Sequence, residues 1–547
     1  MAVAQTDQTA VSRCTLCPAA CQLQLAGAGP DAWRAEYPSQ GSAGLCPRGS
    51  AVCELLSSHL RISTAMRRRG PRLAEVSIAS VLREIVSRAS GGLTVLLDGN
   101  MPCEQLASAA AWCNAWPQAR LCIAVEPADK QMLTGIDSSG AEYLPASRLA
   151  DCDGFVVIGD AFAANPMCSR GVLDRRAGEP RTPIVVIDPA AGTASKFATH
   201  NVAVGAGMEL AALAAVAASA GVDGGPLARQ TAGEMSSAEA AGKAIAGCKR
   251  LAVLIAAEYG RAAPWQQIGY LAGLLAKGKG GGAAAQTVGA NALAAVRTAA
   301  ATGAISLAEA LSDGTKPRLA VGCDVAGMLG REDIEIFAAA APLPNETTDA
   351  AEIILPLAMN EELSGTIMAD GDRPVRVSPL MSPPVGVVSP ASLIAALVKQ
   401  AGVSQARPVK EGAPLPRLQA GPPAPATVWK DPSGPLVLLG RQAANSGCGA
   451  VTGCASWQQA LNQTPELRVS SDVAEAHKLK NLGLANLKVA GSSLSFRIRI
   501  APELGSGIMV MPEGLPQVRK LLPSRIDAAT GTITCEPVCV PQGLFGG

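Results

Sequence analysis

Cys14-Thr15-Leu16-Cys17-Pro18-Ala19-Ala20-Cys21, closed by Cys46-Pro47-Arg48-Gly49, is the stretch on which the reading of this chain turns. Two residues separate the first two cysteines, three the next pair, and twenty-four precede the fourth. Soft thiolate donors converging from several directions suit an iron–sulfur site. A C-x2-C-x3-C run supplies three ligands from one tight loop, and a returning fourth completes the Cys set of a [4Fe–4S] cluster. Structural zinc also takes four thiolates, but zinc ribbons pair two short knuckles, whereas here three thiols gather and one comes back. Unrelated buried cysteines are the third reading; the spacing favours the cluster.

Working outward, a chain of 547 residues is too long for one core and implies about three or four domains. Hydrophobic residues make up 48% and charged residues 17%, so apolar material is ample, and the 57 Gly and 39 Pro punctuate apolar segments as in a globular chain. Lys and Arg (46) balance Asp and Glu (45), which gives no broad field for nucleic acid or an anionic membrane. Sixteen cysteines raise the question of disulfides. Four stand at cluster spacing, however, and most others lie singly in apolar segments, as buried thiols do. MAVAQTDQTAVSRC has no basic region leading into an apolar core, and Ala203 to Ala220, interrupted by Glu209, reads as a buried helix and not a membrane span. A cytoplasmic protein is expected, peripheral on the inner face of a membrane only through a partner.

Residues 1–60 form the cluster module. Met66 to Arg72 is a basic, solvated turn within a hairpin, Ser77 caps a helix, and Leu93 to Leu97 is a strand. From Asp151 onward short, wholly apolar strands alternate with helices: Gly154 to Gly159, Pro183 to Pro189, Val202 to Val204, Leu251 to Ala256, Leu319 to Gly322 and Ile353 to Pro356. Strands buried on both faces read this way when crossover helices cover a parallel sheet. Gly278 to Gly282 reads as a flexible loop. No glycine stretch makes a P-loop or a dinucleotide fingerprint, which disfavours ATP or NAD on this chain. The expected division is 61–145 with 319–400 as one discontinuous α/β domain, 146–318 as a Rossmann-like domain, 401–430 as a linker and 431–547 as a β-rich domain. Cys535-x3-Cys539 is two thiols short of a site.

The cluster motif, joined to Leu60-Arg61-Ile62-Ser63-Thr64-Ala65-Met66-Arg67-Arg68 and Glu75-Val76-Ser77-Ile78-Ala79, resembles the start of the molybdopterin oxidoreductase family. That family includes formate dehydrogenases, the formylmethanofuran dehydrogenase catalytic subunit and the large peripheral subunit of NADH–quinone oxidoreductase. Val157 to Pro166 is similar to the family's strand and pterin-contacting loop, Ile184 to Pro189 to the next strand, and Asn345 to Pro356 with Glu361 to Thr366 to the segment where family members read ET…ADVVLP…E…GT. The resemblance implies an α/β, multidomain fold with an N-terminal Fe–S module, Rossmann-like parallel-sheet domains and a C-terminal β-barrel domain. It implies Cys14, Cys17, Cys21 and Cys46 as cluster ligands. Arg48, Gly159, Asn165, Asp188, Gly365 and Thr366 are implied as contacts of a bis-molybdopterin guanine dinucleotide with Mo or W, seated between the Rossmann-like domains where ligands meet strand ends.

Ala119-Arg120-Leu121-Cys122 resembles the segment that places the metal's thiolate ligand, making Cys122 the catalytic candidate. Against this, the His that follows in formate-type enzymes is Ile123 here, and an apolar Leu-Cys-Ile-Ala-Val run also reads as a core strand. The chain has only 3 His, and His59, His200 and His477 each read as structural or surface residues. Three functions follow. The first is an iron–sulfur redox subunit passing electrons within a larger complex, with Fe–S, flavin/NAD, hydrogenase or quinone-reducing partners. The second is a working Mo or W enzyme of formate or formyl-carrier type acting on a small molecule or electron carrier. The third is a scaffold stapled by its cluster.

Overall fold

The computed structural model describes residues 10–27, 33–36, 46–205, 207–225, 227, 235–257, 264–312, 314, 317–329, 334–369, 371–406, 417–418, 421–424, 437–442, 452–456, 464–489, 492–513, 515–521 and 538–541. Most of the presumed linker, and Cys535, lie outside them.

The chain opens with β1 (Ala10–Arg13), β2 (Gln22–Ala26) and β3 (Arg34–Glu36) in an antiparallel sheet, with Arg13 opposite Gln22. The C-x2-C-x3-C run is therefore the tip of a hairpin, closed by a 2.8 Å bond from the Cys14 N–H to the Cys21 carbonyl. Cys46 returns at the start of the short helix Pro47–Ser50, where proline in the first turn costs no hydrogen bond.

Next come the hairpin β4 (Met66–Arg69) and β5 (Arg72–Glu75), then β6 (Leu93–Asp98) and β7 (Ala119–Ala124). The chain leaves this region to lay down β8 (Glu142–Tyr143), β9 (Gly154–Ile158), β10 (Ile184–Ile187), β11 (His200–Val202), β12 (Leu251–Ala256) and β13 (Gly282–Gln286). It returns for β14 (Arg318–Val321), β15 (Ile336–Ala341) and β16 (Ala351–Pro356). Two sheets result, ordered β5-β4-β16-β15-β14-β6-β7 and β11-β10-β9-β12-β13-β8. All strand pairs are parallel in the second sheet; in the first, only β4 runs against the rest, so its pairings with β16 and β5 are the antiparallel ones. Every residue of β9, β10 and β12 is buried, because helices cover both faces. Their β-branched side chains suit that pleated, two-sided burial.

A hairpin, β17 (Gly365–Ala369) with β18 (Arg373–Val377), follows. The last sheet comprises β19 (Val437–Gln442), β20 (Glu466–Val469), β21 (Leu484–Val489), β22 (Ser492–Ile500), β23 (Ile508–Glu513) and β24 (Val538–Pro541), ordered β19-β23-β20-β22-β21-β24. Among the described residues this domain, expected as β-barrel-like, shows a mixed six-stranded sheet in which no pairing joins β19 to β24.

Two local expectations need correction. The stretch Gly278 to Gly282 is closely packed, not flexible: a Cβ on Gly281 would strike the Leu251 carbonyl, and Gly282 already begins β13. The basic turn is not wholly solvated either. Arg67 pairs with Glu84 at 2.9 Å, and Arg68 donates to the carbonyls of Thr348 and Ala351, stitching the hairpin to β16.

Candidate cofactor cleft

In each parallel sheet the chain reverses its direction of travel once, between β6 and β14 in the first and between β9 and β12 in the second. Loops leaving neighbouring strands there part to opposite sides and open a crevice at the carboxyl ends. A cleft occupies the first of these points. Its walls are Asp98 to Met101 after β6, Ala124 to Glu126 at the end of β7, Gly322 to Asp324 after β14, and Leu357 to Glu361 after β16. Gly322 has φ +76, and a Cβ there would stand 3.1 Å from Asp98, so the β14 exit can lie against the β6 exit only with glycine.

The cysteine hairpin supplies one wall through Thr15 and Leu16. Thr15 is tied down from three sides. Its hydroxyl donates to Glu361 Oε1 at 2.6 Å, and its carbonyl accepts from Asn100 Nδ2 at 3.0 Å and from the Ala290 N–H at 3.2 Å. Asn100 Oδ1 accepts from the Asn291 N–H, Asn360 Nδ2 donates to the Asn100 carbonyl, and Asn291 Oδ1 accepts from the Met368 N–H. Amides link loops distant in sequence because each offers both donor and acceptor.

Four carboxyl side chains line the cleft: Asp98, Glu126, Asp324 and Glu361. Burial pushes Asp98 up to about 7, opposed by the bond it accepts from the Asn100 N–H. Burial likewise raises Asp324 and Glu361, although Thr347 and Thr15 respectively donate to them. Asp98, held there, can carry a proton near neutral pH. The lining residues include one cation, Arg519, from the C-terminal sheet domain.

Behind the hairpin the four cysteines share one neighbourhood. Burial raises the Cys14 thiol, and Cys17, Cys21 and Cys46 all add to that rise by proximity. Burial also raises Cys17, with Arg48 pulling the other way. Arg48 is 1% exposed and spans into the Rossmann-like domain, donating to the carbonyls of Ala163 (2.8 Å) and Ala164 (2.6 Å). Among the described residues, no group of three or more His, Cys, Asp or Glu is closed around a metal-ion position. Closure on one ion at about 2.3 Å would bring the sulfurs to within about 3.8 Å of each other.

The remaining candidates fall into three places. Gly159, Asn165 and Asp188 sit at the carboxyl ends of β9 and β10, beside the second reversal point, whose facing loop after β12 lies outside the described residues. There Asn165 caps the helix Pro166–Gly178 and donates to Gln286 at 2.8 Å, while Asp188 accepts from the N–H groups of Ala190 and Gly192. Gly365 and Thr366 open β17, the Thr366 N–H donating to Glu104 at 2.7 Å. Cys122 is brought to neither crevice. It is fully buried in mid-strand, opposite Leu96, and burial pushes its thiol up to about 12. The side chain packs with Ile62, Leu96 and Ala320 because even positions along β7 face that core. The cysteine that does line the cleft is Cys323, just past β14, which donates to the Leu96 carbonyl at 3.3 Å. Its sequence signal was Gly322-Cys323-Asp324 at the carboxyl end of an apolar strand, a place where ligand contacts gather.

No family model matches the chain, and no curated protein sequence is similar to it. Among solved structures, acetylene hydratase from Pelobacter acetylenicus is similar in fold, with a TM-score of 0.63 over 92% of this chain and 93% of that one, at 12% identity. The chain thus shares the multidomain α/β fold of that structure. Among the described residues no helix is long and apolar enough to cross a membrane.

Proposed function

We propose that this chain is an enzyme of molybdopterin-oxidoreductase type. Its cleft at the β6–β14 reversal would take a pterin-held Mo or W, and Cys14, Cys17, Cys21 and Cys46 would hold a [4Fe–4S] cluster behind the cleft wall. One observation carries the reading: the hairpin loop that bears three of the four neighbouring thiols also forms, through Thr15 and Leu16, a wall of the cleft.

The residues present fit both groups. Four thiols in one neighbourhood are the ligand count that a [4Fe–4S] cluster takes. Asp98, Asn100, Asp324 and Asn360 offer the carboxyl and amide partners that a heterocycle rich in N–H and carbonyl groups requires. The cofactor, when bound, supplies two-electron chemistry at its metal. The chain's own groups orient and proton-couple it: Glu361 holds Thr15 in place, and the upward-shifted Asp98 can keep or release a proton at a carboxyl oxygen lining the cleft. Arg48 keeps a fixed positive charge between the cysteines and the β9 exit loop.

A second reading has one observation in its favour. With Cys122 away from the cleft, the expected thiolate ligand is missing, as in an electron-transferring subunit whose pterin site has lapsed. Metal, sulfide and pterin analysis of the anaerobically purified protein separates the two. Stoichiometric Mo or W with pterin supports the enzyme; iron and sulfide alone support the redox subunit; neither set leaves the scaffold.

A further inference from the structure

Arg519 stands apart from the other groups of the cleft. It comes from a different domain, on the short helix Pro516–Arg519, and is the one cation among the described lining residues, facing four carboxyl side chains. It is 8% exposed, and its Nη1 donates to the carbonyls of Met328 (3.0 Å) and Gly327 (3.4 Å) at the end of the helix Val325–Leu329. Its Nε–H has no hydrogen-bond partner among the described residues. A guanidinium is costly to bury and presents its donors as a rigid fork. The two carbonyls hold Nη1, and the charge and planar donor group of this side chain suit a planar oxyanion in the cleft it lines.

We propose that Arg519 is a binding residue for an oxyanion, a phosphate or a carboxylate, carried by whatever enters the cleft, so that the C-terminal domain supplies part of the binding site. The inference goes beyond the proposed function, because it requires neither pterin nor metal to be present. It also gives the one cation among the described lining residues a role, that of marking where an anion lies in the cleft.

The test is calorimetric titration of the full chain as purified with two probes, inorganic pyrophosphate and acetate, in wild type, Arg519→Gln, Arg519→Lys and Lys520→Gln. Lys520 pairs with Glu346 at 3.4 Å on the same domain contact, so its variant loosens docking while leaving the guanidinium in place. Wild type is expected to bind at least one probe, pyrophosphate indicating a phosphate-bearing ligand and acetate a carboxylate. Arg519→Gln should weaken that binding about tenfold or more, Arg519→Lys less, and Lys520→Gln hardly at all. If the purified chain carries pterin, the equivalent readout is pterin retained through gel filtration, lowered by Arg519→Gln and not by Lys520→Gln. Equal binding by wild type and Arg519→Gln, binding of neither probe to pterin-free wild type, or an equal loss in Lys520→Gln would each overturn the proposal. None of these results bears on whether Mo, W or an iron–sulfur cluster is present.

Discussion

Thr15 Oγ1 donates a 2.6 Å hydrogen bond to Glu361 Oε1 across 346 positions of sequence, and both residues line the same cleft. The cysteine hairpin is thereby fixed to the exit of β16 by a buried bond, and any movement of one is felt by the other.

Thr15→Val removes the hydroxyl and leaves a buried carboxyl short of a donor, at a cost of about 1–3 kcal/mol. Faster hydrogen exchange over residues 14–21 is the expected result, while Glu361→Gln, which keeps an acceptor oxygen, changes exchange little. Unaltered exchange in Thr15→Val would show that the bond does not hold the loop.

Arg48→Ala deletes two charge-assisted bonds to Ala163 and Ala164 from a fully buried position, and should lower stability by about 2–4 kcal/mol. Arg48→Lys keeps the charge but cannot fork across two carbonyls, so it should fall between. Denaturant midpoints of the three proteins check the order.

Stability should decline as pH rises from about 4 to about 7. Burial lifts Asp98, Asp129 and Glu209 each to about 7, so the folded chain binds protons in that window more readily than the unfolded one. The advantage is complete below the unfolded values and lost as pH passes the folded ones. Asp98→Asn should therefore raise the melting temperature at pH 8 and leave it nearly unchanged at pH 4; a uniform shift at both would refute the assignment.

Cys46→Ala should lose the visible absorbance of an iron–sulfur centre, together with iron and acid-labile sulfide. Cys122→Ser, by contrast, should leave all metal content intact and cost about 1–3 kcal/mol, since it buries a hydroxyl among Ile62, Leu96 and Ala320. Loss of Mo or W in Cys122→Ser would return that residue to the metal.

The α/β architecture was legible because its cause is local. Val-Val-Ile and Ile-Val-Val-Ile runs bounded by glycine and proline have no polar face to show water, so they must lie in a sheet covered on both sides. Ser77 announced its helix by the same local logic, and its side chain accepts from the Ser80 N–H. Cys122 was ambiguous in sequence because an apolar strand and a ligand-bearing segment can share the pattern Leu-Cys-Ile. Sheet register settles where its side chain points: opposite Leu96, into the core. The glycines at 278–282 misled for a related reason, since sequence records a missing side chain but not the backbone pressed against it.

By itself the sequence determined the strand–helix alternation, the four-cysteine spacing and the burial of the apolar runs, all consequences of residue chemistry within a few turns or strands of chain. Only tertiary structure decided the cleft. Thr15, Asp98, Asn100, Asp324, Asn360 and Arg519 carry no signal in common until the order β16-β15-β14-β6-β7 brings their loops to one edge and the C-terminal domain closes over it. The physical reason is that hydrophobic burial fixes which strands are neighbours, and the polar groups at their ends meet wherever that packing leaves them.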